Sequence, residues 1–274
     1  MRLPAPARMP DSAQTSRAEQ NPAPDRGSLA VSVVELGRLG YDEAYEVQQA
    51  HHAQVLAARE GGTPELARLL LVEHDPVVTV TRRKTARGNL LASLEVFAAS
   101  GIDVRPTDRG GDVTYHGPGQ LVCYPIVDLR AAGLRLHEHM RVMEQGVIDT
   151  LAHFGVAGER DGDATGVWIP GAGIGGEAAK IAAMGVRVRR WITMHGLSLN
   201  VRPNMGHFDL IVPCGLAGRS VTSLAQQLGE RCPAVEEVAP VLTGALEGLL
   251  RSDAFRVRAQ PPSEGAAGVD PPSP

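Results

Sequence analysis

Three stretches of the chain gather residue types that can do chemistry. The first is residues 109–120, Arg109-Gly110-Gly111-Asp112-Val113-Thr114-Tyr115-His116-Gly117-Pro118-Gly119-Gln120. Four glycines and a proline give a backbone that turns tightly and can approach a ligand closely. Its N–H groups would suit a ligand with carbonyls or a pantetheine arm. The run has neither the G-x-G-x-x-G nor the G-x-x-x-x-G-K-[ST] pattern, so it is not a nucleotide loop. A plain glycine-rich hairpin fits it as well. The second stretch begins at Lys180, continues through Ala183, Met184 and Gly185, and ends in alternating Val and Arg to Arg190. The arginines Arg187 and Arg189 fit the solvated face of a half-buried strand. Lys180, between Ala179 and Ile181, has apolar company instead. Of 27 basic residues only Lys84 and Lys180 are lysines. Arginine keeps its proton near neutral pH, whereas a partly buried lysine can lose one. The third stretch is Ile211-Val212-Pro213-Cys214-Gly215-Leu216. Cys214, between proline and glycine, is on a forced turn, yet most lone cysteines are small buried hydrophobes. Cys123 and Cys232 read as structural. A shorter run, His195-Gly196-Leu197-Ser198-Leu199-Asn200, reads as a strand kinked at its glycine.

The elements that must hold these residues follow from periodicity. Strands are expected over residues 30–34, 69–72, 77–81, 120–127, 166–169, 180–188 and 191–201, the second and third flanking a turn at His74-Asp75-Pro76. Pro125 argues for an edge or a strand end. A helix over 42–59 would bury Ala44, Val47, His51, Val55 and Ala58. Leu136, Met140, Met143, Val147 and Leu151 mark a longer helix ending at Gly155. Shorter helices are expected near 91–99 and 221–228. A last one covers 233–251, with Pro240 at its start or at a kink. Helices among hairpin-like strands predict an α+β fold, a mixed, mostly antiparallel sheet with flanking helices.

Composition bounds the rest. At 274 residues, 43% hydrophobic and 21% charged, the chain can bury a sizeable core. Residues 28–258 are expected to form a single catalytic domain. Residues 1–27 and 259–274, dominated by Pro, Gly, Ala and Ser, are expected to be disordered. No apolar run reaches the roughly 18 residues of a spanning helix, and no secretion signal is recognisable. Three cysteines are too few for a disulfide framework, which points to the cytoplasm. A net charge of −4 excludes a generally nucleic-acid-binding surface.

With R-G-G-x-x-T-Y-H-G-P-G-Q at 109–120, K-I-A-A-x-G-V-R-V at 180–188, H-G-L-S-L-N-V at 195–201 and P-C-G at 213–215, the chain resembles the bacterial lipoyl(octanoyl) transferases over nearly all of residues 36–250. Asp112, Met184 and Ser198 depart from residues common in that family. The resemblance implies the fold of the biotin and lipoate ligases. It also implies an octanoyl group taken from acyl carrier protein and delivered to a lysine of a lipoyl domain. Recipients would be the acyltransferase subunits of 2-oxoacid dehydrogenases and the glycine-cleavage H protein. It assigns Cys214 and Lys180 as catalytic. Substrate contacts would fall on Arg109, Gly110, Gly111, Asp112, Val113, Thr114, Tyr115 and His116, on Ala183, Met184 and Gly185, and on Gly196, Leu197 and Ser198.

The implied chemistry is self-consistent. A free thiol is only a few per cent thiolate at neutral pH, and a nearby ammonium favours the anion. Thioester to amide is downhill, so neither a cofactor, ATP nor a metal is expected. The basic cluster Arg82, Arg83, Lys84 and Arg87 would dock an acidic carrier protein or simply be a solvated loop. Three rivals remain: an ATP-dependent ligase of the same fold, a Cys-His hydrolase using His116 or His195, and a catalytically dead lipoyl-domain-binding scaffold.

Overall fold

The computed structural model describes residues 29–215 and 218–255, Cys214 by its backbone alone. The two expected tails, and both ends of the expected 28–258 body, lie outside the described residues. In chain order the elements are β1 (Val31–Leu39), α1 (Tyr41–Glu60), β2 (Ala67–His74), β3 (Val77–Thr81), α2 (Leu94–Ala99), β4 (Asp103–Thr107), β5 (Thr114–His116), β6 (Gln120–Val127), α3 (Leu129–Ala132), α4 (Leu136–His153), β7 (Glu159–Arg160), β8 (Val167–Ile169), β9 (Ala179–Arg189), β10 (Ile192–Asn200), α5 (Leu224–Leu228) and α6 (Val235–Arg251). Short 3₁₀ turns include Ala86–Asn89, Met205–Leu210 and Pro213–Gly215.

Seven strands make one mixed sheet in the order β1-β2-β6-β10-β9-β8-β7, and three make a second, β4-β3-β5. β1 runs parallel to β2 and β3 parallel to β4; the other pairings among these strands are antiparallel. This is the α+β, mostly antiparallel class that the sequence predicts.

Successive side chains of a strand point to opposite faces, and both faces of the large sheet are covered. Leu69 and Leu71 join Met143, Val147 and Leu151 of α4 and Leu242 and Leu246 of α6. Leu70 and Val72 instead pack with Ala44 and Val55 of α1. Double coverage explains why β2 reads as an unbroken apolar run. A third core joins Val78 and Tyr115 of the small sheet to Phe97 of α2 and to Phe208 and Ile211.

Two local expectations are corrected. The buried face of α1 runs through Gln48 and His52, not His51 and Ala58. Gln48 Oε1 accepts the His195 N–H at 2.8 Å, and His52 Nε2 donates to the Arg189 carbonyl at 3.1 Å. Polar partners on the sheet draw that face inward, which apolar periodicity does not register. Pro125 marks no edge, because β6 lies between β2 and β10. The β10 ladder to β6 covers only Leu197 to Asn200. Beyond it the Thr193 hydroxyl donates to the Pro125 carbonyl (2.6 Å) and accepts from the Val127 N–H (2.8 Å), bridging the gap. The expected turn at residues 74–76 leads from β2 to β3, which belong to different sheets. Of the two places expected for Pro240, the helix start is excluded: it lies inside α6, which starts at Val235.

Candidate active site

A cavity of about 490 Å³ is walled by Thr114 and His116 of β5, Val122 and Tyr124 of β6, Lys180 and residues 183–186 of β9, and residues 195–198 of β10. Tyr41, Arg83, residues 109–111, Leu136, Met140 and residues 163–165 complete it. Twelve of the sixteen expected site residues thus meet around one space: Lys180, Arg109, Gly110, Gly111, Thr114, His116, Ala183, Met184, Gly185, Gly196, Leu197 and Ser198. Val113 and Tyr115 point away into the third core, as the period-2 alternation of β5 requires. The Tyr115 hydroxyl pairs with His207 Nδ1 at 2.8 Å. Asp112 Oδ1 accepts from Asn89 Nδ2 and from the Val113 N–H, both at 2.8 Å, and so braces the loop from outside.

At one crossing the glycine run meets β9. The Gly110 N–H bonds the Val186 carbonyl at 2.9 Å, and a Cβ on Gly185 would stand 2.5 Å from the Gly110 carbonyl oxygen. Two backbones touch there, so a side chain has no room. The Arg109 guanidinium closes the loop through the Gly110 and Asp112 carbonyls (2.9 and 2.7 Å) and Thr79 Oγ1 (3.0 Å).

Lys180 is only 5% exposed. Its Nζ donates to the Thr165 carbonyl at 3.0 Å and stands 4.7 Å from the centre of the Trp168 ring. Both contacts orient the amine. Its backbone is pinned to residues 220–222: Lys180 N–H to the Ser220 carbonyl and the Thr222 N–H to the Lys180 carbonyl, each 2.9 Å. Gly166, at φ +127°, lets the preceding loop pass, since a Cβ there would meet the Ala182 carbonyl oxygen at 2.6 Å. The buried carboxylate of Glu144 holds the same loop by accepting the Gly166 N–H at 3.2 Å.

The turn Pro213–Gly215 carries Cys214. Pro213 lines a small cleft together with Lys180, Thr114, Ala183 and Ser198. The Val212 N–H bonds the Asn89 carbonyl at 2.8 Å, and the Cα of Gly215, at φ +68°, faces Asn89 and Asp112. The backbone bearing the candidate nucleophile therefore borders the cleft that Lys180 lines.

Several residues in and around the cavity wall are not singled out by sequence reasoning. Asp108 is a hub: its carboxylate takes the Tyr45 hydroxyl (2.9 Å), His195 Nε2 (2.8 Å) and the Arg187 guanidinium. Arg187 is therefore paired and not merely solvated. These contacts hold His195 at φ +58°, in the left-handed region, just before the wall residues 196–198. Hydrogen bonding to His195 and Tyr45 holds the Asp108 carboxyl below the ordinary range against the opposing effect of its burial. Burial lowers His74 to about 4 and His116 to about 3, so both are neutral near pH 7. His74 Nδ1 donates to the Leu39 carbonyl (3.1 Å), and its Nε2 therefore accepts the Tyr124 hydroxyl proton (2.6 Å). Leu136 and Met140 begin the apolar stripe of α4 and overhang the cavity, where periodicity alone places them in the core. Arg82, Arg83, Lys84 and Arg87 are exposed, Arg83 on the cavity rim. Burial pushes the Cys123 thiol up to about 12, in keeping with a structural role, and the Cys232 sulfhydryl faces the Val201 and Pro233 carbonyls at 3.6 and 3.4 Å.

The chain is similar to known proteins. Residues 41–247 match the lipoyl protein ligase A/B catalytic domain. An octanoyltransferase of Acidobacterium capsulatum is 46% identical over 204 residues, covering 72% of this chain and 80% of the relative. One of Christiangramia forsetii is 40% identical over 230 residues, covering 81% and 97%. Among solved structures, the bipartite lipoate protein ligase of Thermoplasma acidophilum has a TM-score of 0.59 at 18% identity, covering 81% of this chain and 84% of that one. Lipoate-protein ligase A bound with ATP has a TM-score of 0.58 at 15% identity, covering 81% and 85%. These two likenesses establish the fold. The relatives establish the lineage: the chain belongs to the octanoyltransferase family, within the lipoyl protein ligase A/B catalytic domain.

Proposed function

We propose that the protein is an acyltransferase that takes an octanoyl group from the thioester of acyl carrier protein, holds it on Cys214, and passes it to a lysine of a lipoyl domain. The observation that carries this reading is the Lys180 amine, buried in the cavity wall against a carbonyl and an aromatic face, in a cleft bordered by the Cys214 turn. As ammonium, Lys180 favours the Cys214 thiolate. The sulfur attacks the octanoyl thioester carbonyl, the C–S bond to the pantetheine arm breaks, and Lys180 gives its proton to the departing thiolate. The acceptor amine then attacks the acyl-enzyme, Cys214 leaves as thiolate, and the amine's proton passes to neutral Lys180. Leu136, Met140, Met184 and Leu197 supply apolar wall for the acyl chain, worth about 1–3 kcal/mol per methylene in discrimination. The exposed cluster at Arg82, Arg83, Lys84 and Arg87 would receive the acidic carrier protein at the rim.

The fold is shared with ligases that use ATP, but the relatives at 40–46% identity are named octanoyltransferases, and residues 109–120 lack a nucleotide pattern. A Cys-His hydrolase built on His116 is disfavoured because burial makes that ring too weak a base. A scaffold without catalysis would have no use for the buried Lys180 amine. The acceptors proposed are the lipoyl domains of 2-oxoacid dehydrogenase acyltransferase subunits and the glycine-cleavage H protein, with action in the cytoplasm. No described helix is long and apolar enough to cross a membrane. The test is transfer from octanoyl-loaded acyl carrier protein to a purified lipoyl domain without ATP. Octanoylation of the domain lysine is expected; transfer that appears only with octanoate and ATP would make the protein a ligase and overturn the proposal.

A further inference from the structure

One polar chain behind the cavity wall has its direction fixed from the backbone. The Thr222 carbonyl accepts from Asn200 Nδ2 at 2.9 Å, which leaves Asn200 Oδ1 to accept from Gln120 Nε2 at 2.8 Å. The same Gln120 nitrogen also faces the Tyr115 carbonyl at 3.2 Å, a second acceptor that demands a donor. Gln120 Oε1 is thereby turned to His116 Nδ1, 2.6 Å away. An amide oxygen only accepts, so Nδ1 carries the proton. Two backbone carbonyls, which cannot reverse, thus set the tautomer of His116.

Gln120, Asn200 and His116 are all buried, at 1%, 5% and 7% exposure. Burial keeps the ring neutral. A neutral imidazole with its proton on Nδ1 has a bare lone pair on Nε2. Unlike the ring nitrogens of His139, which are buried without partners, that nitrogen is not sealed off: His116 lines the cavity. Gln120 and Asn200 line the small cleft beside Lys180 and not the main cavity, Thr222 lines neither, and their hydrogen bonds hold the ring.

We propose that His116 is a fixed hydrogen-bond acceptor for the incoming amine, its Nε2 holding one N–H of the acceptor lysine so that the nitrogen lone pair faces the acyl carbonyl. The ring receives no proton in the step. The N–C bond forms, the C–S bond to Cys214 breaks, and the amine's proton goes to Lys180. This role rests on the transferase reading above. The thioester donor brings no amine to the first half-reaction, so the contact belongs to the second.

Two measurements test it. In protein labelled with ¹⁵N at histidine rings, the His116 Nε2 should show a non-protonated nitrogen shift across pH 5–8, with the proton on Nδ1. A protonated Nε2 in that range would overturn the assignment, whatever the enzyme's activity. His116→Asn keeps a donor near the Nδ1 position for Gln120 and deletes the Nε2 acceptor. Loading from octanoyl carrier protein and discharge to a lipoyl domain are then timed separately. Discharge should slow by about tenfold more than loading, the worth of one lost hydrogen bond. Equal slowing of both steps would put the lone pair on Lys180 or in the fold itself, and slower loading alone would put it on the pantetheine arm. Either result overturns the proposal. Absence of any acyl adduct on the wild type would instead defeat the transferase reading, while the nitrogen spectrum still decides the state of His116.

Discussion

Glu144→Gln separates the support of Lys180 from Lys180 itself. Glu144 is 2% exposed and carries three contacts. Its Oε1 accepts the Gly166 N–H at 3.2 Å, and its Oε2 accepts from Arg141 Nη1 at 2.7 Å and Arg160 Nε at 3.1 Å. A glutamine of the same shape cannot serve both sides. With its oxygen toward the arginines it presents N–H against N–H at Gly166; turned around, it presents an amide to two guanidinium groups. Hydrogen bonds to charged groups are worth about 1.5–3 kcal/mol each. Arg141 and Arg160 are 37% and 30% exposed, so water recovers part of that. A net loss of about 2 kcal/mol follows, which for a chain of this size lowers Tm by roughly 4–8 °C. The function should fall with it, because Gly166 is joined to Thr165, whose carbonyl aims the Lys180 amine. Thermal unfolding by circular dichroism gives the first number, and octanoyl transfer well below the new Tm gives the second. A variant with wild-type Tm and wild-type turnover would show that the loop needs no anchor at Glu144 and refute this reasoning.

Other consequences are as direct. Gly185→Ala drives a Cβ into the Gly110 carbonyl, so residues 109–111 must shift, costing about 1–3 kcal/mol and raising KM for the acyl donor; an unchanged KM would count against the crossing. Lys180→Arg keeps the charge but loses most turnover, because a guanidinium carries no proton away near neutral pH; near-normal steady-state rates would reduce Lys180 to an electrostatic role. Burial lowers His74 and His139 to about 4, so below pH 6.5 the unfolded chain takes up protons that the folded chain refuses. Stability should be complete above that pH and decline toward pH 4, by up to about 2 kcal/mol per group at pH 5. Urea midpoints that stay constant from pH 7 to 5, or a His139→Leu variant with the wild-type slope, would contradict it.

The long elements were legible because their signals are strong: the four-three-four-four stepping of α4, the apolar run of β2, the Val-Arg alternation of β9. The cavity's glycine and lysine stretches stood out because close backbone approach and a lone lysine in apolar company are unusual locally. What escaped was set by partners distant in sequence. The short strands β4 and β5 gain their place by pairing with β3, and β5 is too short for alternation to declare itself. Asp108 looks like any loop aspartate until Tyr45, Arg187 and His195 converge on it from three elements. Leu136 and Met140 fit the core stripe of α4 perfectly well; only the tertiary arrangement shows that the stripe overruns the core and reaches the cavity.

The central claim is a covalent one, and intact mass spectrometry tests it directly. After mixing with octanoyl-loaded acyl carrier protein and no lipoyl domain, the protein should gain the mass of one octanoyl group, mapping by peptide to Cys214, labile to hydroxylamine and absent from Cys214→Ser. An adduct on another residue, or transfer to lipoyl domain at wild-type rate by Cys214→Ser, would contradict the account.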